Sequence, residues 1–178
     1  MKKIFALIIM ILVCISSVVY ATDMKLYRNR EWQFRIDIPA SFEYSTPKSP
    51  NTLMMAHGNN RSSINIVAKK MPIKEASAED LTELANAQRE ANPVLDKSII
   101  SSGITYVNNS PAHWALYNTE YRTPTDEFKL TILMFQFVKN YKYYAVSYGI
   151  VPELYTQTQP IFMQSISSFV DRSEERRV

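Results

Sequence analysis

Residues 127–138 read Glu-Phe-Lys-Leu-Thr-Ile-Leu-Met-Phe-Gln-Phe-Val, and this stretch decides the fold. Side chains of a β-strand alternate between the two faces of its sheet. The apolar side chains here fall on both faces: Leu130, Ile132 and Met134 on one, Leu133, Phe135 and Phe137 on the other. A strand that is apolar on both faces needs cover on both faces. The stretch therefore predicts the central strand of a sheet that has a layer packed on each side.

Three neighbouring segments have the same strand character. They are residues 98–107, 112–122 and 141–150, and turn-forming residues separate them at 108–111, 123–126 and 139–140. Because such short connections join antiparallel neighbours, the segments predict an antiparallel meander. Within it we expect Trp114 and Phe135 to belong to the core.

The N-terminal half predicts two more strand pairs. Residues 25–28 and 31–38 flank an Asn29-Arg30 turn, and Pro39 ends the second strand because proline cannot donate to a ladder. Residues 52–56 and 63–69 flank Gly58-Asn59-Asn60, whose residues tolerate positive φ.

Two helices are predicted. The first covers residues 77–92, capped by Ser77 and stopped by Pro93, and its narrow apolar stripe is typical of a helix that covers a surface. The second covers residues 152–171, and we expect a break or kink at Pro160 because proline removes a backbone donor.

Three motifs in this order point to a known fold. Residues 32–42, Trp-Gln-Phe-Arg-Ile-Asp-Ile-Pro-Ala-Ser-Phe, are an aromatic strand that runs into proline. After the helix and the meander come Lys-Tyr-Tyr-Ala-Val-Ser-Tyr at 142–148 and a helix ending in Ser-Ser-Phe at 167–169. Over nearly all of residues 23–170 the chain resembles the PsbP-like/Mog1-like superfamily. The resemblance implies an α+β fold, an α/β/α sandwich with a central, mainly antiparallel sheet.

The same resemblance implies binding rather than catalysis. Members of the superfamily include an extrinsic subunit of photosystem II, a nuclear-transport cofactor and exported bacterial proteins of unknown role. Their shared theme is the binding and stabilisation of other macromolecules, and the family pattern holds no catalytic residue to transfer. The calcium or manganese interactions of its photosynthetic members find no matching ligands in this sequence. The expected function is that of a non-catalytic binding or accessory protein whose partner is a protein or an envelope component.

The first 21 residues predict a secretory signal peptide. Lys2 and Lys3 precede an apolar run at residues 4–13, and Val19-Tyr20-Ala21 offers small residues before a cleavage site. The run is shorter than the roughly 20 apolar residues of a membrane span. We therefore expect a periplasmic or secreted protein with no stable membrane span after cleavage. The alternative is membrane anchoring through an uncleaved N-terminal segment.

Length, charge and cysteine content indicate the number of domains and exclude several classes of function. Residues 22–172 are predicted to form a single domain, and residues 173–178 a short charged tail. Without Lys2 and Lys3 the formal charge falls from +3 to +1, and scattered basic residues argue against a nucleic-acid partner. The one cysteine, Cys14, lies in the signal, and Val13 before it is not the small residue that lipoprotein processing needs. A disulfide framework and a cysteine nucleophile are thus excluded for the mature chain.

The sequence contains no recognisable catalytic or metal motif. His57 and His113 are the two histidines, and their spacing does not match a zinc site. Glu79, Asp80 and Glu83 begin the predicted helix, where acids are typically dipole partners. Nucleophile-elbow, Walker and dinucleotide patterns are missing from the sequence. We predict no catalytic residue, no cofactor and no metal, with an extracytoplasmic hydrolase or transferase with an unrecognised site as the alternative.

Tyrosine is abundant, with 11 residues, and several lie on the late strands. Exposed tyrosines provide contact area at little cost in conformational entropy. We predict that Tyr117, Tyr121 and Tyr143 border a contact surface for a partner. Their alternative role is to fill the space between the sheet and the helices.

We predict cleavage after Ala21, because the segment has a complete cleavage site and no lipoprotein signal. Intact-mass analysis of the protein exported by its native host should give a chain that begins at Thr22. A chain that still begins at Met1, or a lipid mass on Cys14, would contradict this prediction.

Overall fold

The computed structural model describes residues 22–47, 49–122 and 126–172. The predicted signal peptide with Cys14 and the charged tail lie outside these ranges. The strands are β1 Met24–Asn29, β2 Phe34–Pro39, β3 Glu43–Ser45, β4 Thr52–His57, β5 Ser63–Lys70, β6 Ile99–Val107, β7 Ser110–Arg122, β8 Glu127–Lys139, β9 Lys142–Ile150 and β10 Val170–Asp171. The helices are α1 Ala78–Ala91, α2 Pro93–Ser98 and α3 Tyr155–Ser167, and a 3₁₀ turn covers Pro152–Leu154.

Seven strands form the main sheet, in the order β3-β4-β5-β9-β8-β7-β6 with antiparallel pairing throughout. The predicted meander is confirmed as β6 to β9. The prediction that residues 127–138 are the central strand is wrong by one position, because β9 occupies the middle of the order and β8 lies beside it. The difference arises because β5 returns to pair with β9, which adds three strands on that side.

Two tight turns set the register of the meander. Asn108 and Asn109 join β6 to β7 with φ of 46° and 66°, and Asn140 and Tyr141 join β8 to β9 with φ of 51° and 62°. Positive φ at both central residues is the geometry of a type I′ turn, whose twist matches that of the flanking strands. Asparagine tolerates this conformation, so the turn residues explain the pairing that follows them.

Both faces of the main sheet are covered, as the apolar pattern of β8 predicts. Helix α1 packs on one face, and α3 together with a second sheet packs on the other. The second sheet has three strands in the order β1-β2-β10. The structure is therefore an α+β fold whose antiparallel sheet lies between two outer layers, one of which contains strands as well as a helix.

Aromatic rings fill the space between the two sheets. Phe34 of β2 stacks on Phe169, with ring centroids 5.3 Å apart, and Phe169 meets Phe137 of β8 and Tyr144 of β9 edge-on at 5.0 Å. Aromatic pairs of this kind stabilise a core beyond the area they bury. Phe135 is also buried, as predicted, whereas Trp114 is only half-buried and packs against the margin of this core.

A buried charge joins the second sheet to the main one. The Asp171 side chain of β10 is fully buried and accepts hydrogen bonds from Lys142 Nζ at 3.0 Å, Tyr144 OH at 2.8 Å and Asn140 Nδ2 at 3.1 Å. Lys142 Nζ also donates to the carbonyl oxygen of Trp32 at 2.9 Å. We call these residues, with Asp171, the Asp171 network. It attaches β10 and the turn before β2 to the β8–β9 hairpin.

The predicted helix boundaries are confirmed at α1. Ser77 accepts a hydrogen bond from the Asp80 backbone N–H, and the Asp80 carboxylate accepts one from the Ser77 backbone in return. This reciprocal capping satisfies two backbone donors that the helix leaves open. Pro93 ends α1, but it also begins the short helix α2, which the sequence did not predict. Proline suits a first helical position because its missing N–H has no partner there.

The final segment differs most from its prediction. Helix α3 continues through Pro160 without a break. Proline at this position removes the hydrogen bond to the carbonyl of Thr156, and Thr156 is exposed to water. The helix ends at Ser167 rather than at residue 171, because residues 170–171 pair with β2 as β10.

Strand β2 also differs from its prediction. It begins at Phe34 rather than at residue 31, since residues 30–33 form a turn with Gln33 at φ 55°.

We expect Phe135→Ala to lower the free energy of unfolding by about 3–5 kcal/mol, because it empties a buried site in the core. Trp114→Ala should lower the free energy of unfolding by less, since part of the Trp114 ring is already exposed to water. Denaturant unfolding of both variants tests the difference. An unchanged midpoint for Phe135→Ala would show that β8 is misplaced in the core.

Candidate functional site

The structure places Tyr117, Tyr121 and Tyr143 on one face of the main sheet. Tyr117 pairs with Ile132 on β8, Tyr121 with Phe128, and Val138 with Tyr143 on β9. The three β8 positions differ by even numbers of residues, so their side chains share a face, and paired residues point the same way. This is the face on which α1 lies. The three tyrosines nevertheless differ in exposure, because α1 covers only part of it.

Tyr143 is buried beneath α1, so the prediction that it borders an exposed contact surface is corrected. It is 7% exposed and packs with Ala76, Leu81 and Val138. Its hydroxyl accepts a hydrogen bond from Gln136 Nε2 at 2.8 Å, and burial raises its pKa. The thin apolar stripe of α1 needs a large partner on the sheet, and Tyr143 provides one. Its role is therefore the alternative one, packing between sheet and helix.

Tyr117 is half-buried and lines a cleft of about 700 Å³. Burial raises the pKa of its hydroxyl to about 12, with a smaller contribution from Tyr121. The cleft lies between α2 and one end of β7. Its walls combine apolar and charged side chains, namely Lys97, Ile99, Ile100, Tyr117, Glu120 and Lys129.

The cleft exists because two paired strands differ in length. Strand β6 has 9 residues and β7 has 13, and their last pair at this end is Ile99 with Tyr117. Beyond Tyr117, β7 continues to Arg122 paired with β8 alone among the described residues. Helix α2 approaches the exposed edge that results, and the space between them is the cleft. The Asn108-Asn109 turn fixes the register of the two strands, and the mismatch arises because β6 begins only at Ile99, directly after α2.

Tyr121 continues the aromatic surface beyond the cleft. It is 48% exposed and stacks on Phe128 of β8, with centroids 5.7 Å apart and planes at 14°. The Arg61 guanidinium lies over the other ring of this pair, 4.0 Å from the centroid of Phe128, and also pairs with Asp126. A cation over an aromatic ring is an attractive contact. We call Tyr121, Phe128 and Arg61 the aromatic stack; of these three residues, the sequence pattern predicted a contact role for Tyr121 alone.

The two histidines lie on different strands and do not form a pair. His57 ends β4, is exposed, and has its ring Nε2 3.1 Å from Ser45 Oγ. His113 lies on β7, separated from β4 by three strands, and is buried under α1. Burial lowers the pKa of His113, and the nearby Arg89 charge lowers it further. Neither histidine lies beside the other, and the hydroxyl that contacts His57 belongs to Ser45 on the edge strand β3, outside the residues that line the cleft.

Acidic residues lie in the first turn of α1, where they stabilise its N-terminus. Asp80 caps the helix, and its hydrogen bonds with Ser77 lower its pKa. Across the ranges that the structure describes, no group of three or more histidine, cysteine, aspartate or glutamate side chains is arranged to hold a metal ion. Within the same ranges, no helix has the length and apolar character to cross a membrane.

Comparison with solved structures identifies the fold. The solution structure of cyanobacterial PsbP (CyanoP) from Synechocystis sp. PCC 6803 matches with a TM-score of 0.61 at 11% identity, over 87% of this chain and 96% of that one. The Ran-binding protein Mog1p of Saccharomyces cerevisiae matches with a TM-score of 0.53 at 8% identity, over 85% and 96%. A crystal structure from Bacteroides thetaiotaomicron matches with a TM-score of 0.59 at 9% identity. This match covers 86% of this chain and 50% of that one.

The chain is an α+β protein built on an antiparallel sheet with packed outer layers. Its fold is the PsbP/Mog1-like fold that the order of motifs predicted. No family model matches the sequence, and no curated protein matches it.

The low pKa of His113 predicts that acid destabilises the fold. The unfolded chain has a histidine pKa near 6.5, above the folded value, so the unfolded state binds more protons as the pH falls. The His113 contribution to stability is complete above about pH 6.5 and is lost progressively below it. Denaturant unfolding at a series of pH values should show this loss in the natural sequence and in His57→Gln.

His113→Gln should lack that part of the pH dependence, whatever its effect on stability at neutral pH. His57→Gln is the matched control because His57 is exposed on another strand. If His113→Gln and the natural sequence lose stability in parallel as the pH falls, His113 is not the group responsible.

Proposed function

We propose that the protein is an exported, non-catalytic binding or accessory module that acts on a protein or envelope component. The observation that carries the proposal is that Tyr117, in the cleft, and Tyr121, in the aromatic stack, lie on one face of β7. Aromatic side chains backed by a rigid sheet are typical anchors of protein interfaces, because they bury large areas with few rotatable bonds. Here the sheet fixes their positions through the β7–β8 register.

The chemistry of the cleft favours binding over turnover. A hydrolase or transferase needs a nucleophile, a base and a group that orients the base within hydrogen-bond reach of one another. The described residues that line the cleft include no histidine or cysteine. Their charged members are Lys97, Glu120 and Lys129, and the last two pair with each other at 3.3 Å. This ion pair is exposed and lies on the sheet face opposite Tyr117 and Tyr121, so it borders the cleft without forming part of the aromatic surface.

Two further observations agree with this role. Mog1p, which shares the fold, is itself a Ran-binding protein. The signal-like pattern of residues 1–21 supports export to the periplasm or secretion, with membrane anchoring through an uncleaved segment as the alternative. The domain proposed to act there comprises residues 22–172, and residues 173–178 are the charged tail.

The test begins with a pulldown from native envelope extract, which supplies a partner for affinity measurements. Tyr121→Ala should weaken binding by about 2 kcal/mol, or roughly 30-fold in Kd, while its melting temperature stays close to that of the natural sequence. Tyr117→Ala should act in the same direction, with a larger effect on stability because Tyr117 is half-buried.

Tyr141→Ala is the matched control. Tyr141 is 55% exposed, close to the exposure of Tyr121, but it lies in the β8–β9 turn away from the cleft. Equal binding by all three variants would place the contact surface elsewhere. A reproducible turnover abolished by His57→Ala or His113→Ala would reject the non-catalytic assignment altogether.

A further inference from the structure

Strand β6 is an open edge of the main sheet. It stands last in the strand order, and among the described residues it pairs with β7 alone. The backbone N–H and C=O groups along its other side therefore have no strand partner there. Such an edge is a template for pairing with another extended chain.

The composition of β6 makes this edge unusually receptive. Ile99–Val107 reads Ile-Ile-Ser-Ser-Gly-Ile-Thr-Tyr-Val, with no charged residue and no proline. Three of its large apolar side chains are exposed: Ile100 by 57%, Ile104 by 38% and Tyr106 by 69%. Natural sheets protect their edges with lysine, proline, short strands or bulges. In β6 the one irregularity lies between Ile99 and Ser101, so residues 101–107 form a regular segment, on which Arg89 of α1 donates a hydrogen bond to Ser102 Oγ from the face that α1 covers.

The other edges are protected in these ways. At the opposite end of the main sheet, β3 has only 3 residues and contains Glu43. In the second sheet, β1 carries Lys25 and Arg28, and β10 has 2 residues. The contrast shows that protection is a general feature of this molecule and that β6 departs from it.

We infer that β6 is a self-association surface, through which a second copy of this chain pairs its own β6 antiparallel. The two copies would be related by a two-fold axis perpendicular to the sheet, which becomes continuous across both molecules. A second copy fits because it supplies an extended, uncharged strand and a matching open edge in one element. The pairing brings no like charges together, and like charges opposite each other are what most strongly oppose it.

The regular segment fixes the register. Residues 101–107 pair in full with their copies only when the axis passes at Ile104, the middle residue. Ile104 then faces Ile104 of the second copy, and Tyr106 faces Ser102. Residues 102, 104 and 106 lie on one sheet face, because they pair with Ala115, His113 and Pro111 on β7. Tyr106 of each copy thus lies diagonal to Ile104 of the other, within reach of an aromatic ring.

The same register connects the dimer to the cleft. Val107 of the second copy lies opposite Ser101, so the turn that begins at Asn108 of that copy comes next to Ile100, which lines the cleft beside Tyr117. The β6–β7 turn of one copy therefore borders the cleft of the other. The dimer does not require the proposed binding function, since it depends on β6 alone.

Cysteine cross-linking tests the register directly. A chain that begins at Thr22 is used, because residues 22–172 contain both sheets and the core, and it lacks Cys14. In Ile104→Cys the two new thiols face each other across the axis, at a Cα separation of about 4.5–5.5 Å, which lies within the range that a disulfide spans. Diamide should convert this variant to a covalent dimer on a non-reducing gel.

Ile100→Cys is the matched control. Ile100 is more exposed than Ile104 and lies on the same strand. In the inferred register its copy is eight residues away along the strands, or roughly 26 Å, so it should stay monomeric under the same oxidation. Equal cross-linking at both positions would reflect random collision and overturn the inference.

Sedimentation supplies the second measurement. The natural sequence should sediment as a dimer whose population rises with concentration, and Ile104→Lys should sediment as a monomer because it places two lysines opposite each other. Ile73→Lys, at a position 41% exposed and outside β6, should remain dimeric. A natural sequence that is monomeric at its highest attainable concentration would overturn the inference. So would a dimer that survives in a folded Ile104→Lys variant.

Discussion

The carboxylate of Asp171 is the constraint on which the arrangement of the two sheets depends. A fully buried charge is tolerated only when its partners are close and well oriented, and here three donors come from one hairpin, β8–β9. Because those donors have fixed positions, β10 has a single place to lie, and β2 follows through its pairing with β10. The stacked rings of Phe34 and Phe169 then meet Phe137 and Tyr144. Buried ion pairs often add little net stability over apolar groups of the same volume, so we expect this one mainly to restrict β10 to a single position.

The cleft and the aromatic stack lie where the outer layers leave the main sheet uncovered. Helix α1 covers the part of its sheet face that contains His113, Gln136 and Tyr143. Toward the far ends of β7 and β8 the same face carries Tyr117, Tyr121 and Phe128 instead, and their rings meet water or the cleft. The cleft and the β6 edge are neighbours, since Ile99 and Ile100 at the start of β6 line the cleft. The mismatch in length produces the cleft, and the position of β6 at the end of the strand order produces the open edge beside it.

Patterns within one strand or helix were predictable from the sequence, whereas contacts between distant segments were not. The alternation in residues 127–138 predicted cover on both faces of β8, and Ser77 and Pro93 predicted both ends of α1. The centre of the sheet required knowing that β5 pairs with β9, and no local pattern encodes that pairing. Strand β10 has 2 residues and no periodicity of its own, so it exists only because β2 and the Asp171 network hold it.

The candidate site shows the same limit. Because Tyr117 and Tyr121 are an even number of residues apart, the sequence predicted that they share one face of their strand, and the structure has them there. Tyr143 was included because it is a tyrosine on a late strand, and whether α1 lies above it is a matter of tertiary packing. Phe128 and Arg61 are far apart in the sequence, and only the hairpin from β4 to β5 brings the guanidinium to the ring.

The pairing of β10 with β2 also determines when this molecule can finish folding. Val170 pairs with Arg35, so a strand near the start of the described chain waits for one near its end. Closing so long a segment is slow, because its entropy is lost before the contact is gained. During synthesis, Lys142 and Tyr144 emerge from the ribosome well before Asp171 and remain hydrated until it arrives. The nascent chain thus cannot complete its core early, and almost all of it must be available before the native state forms.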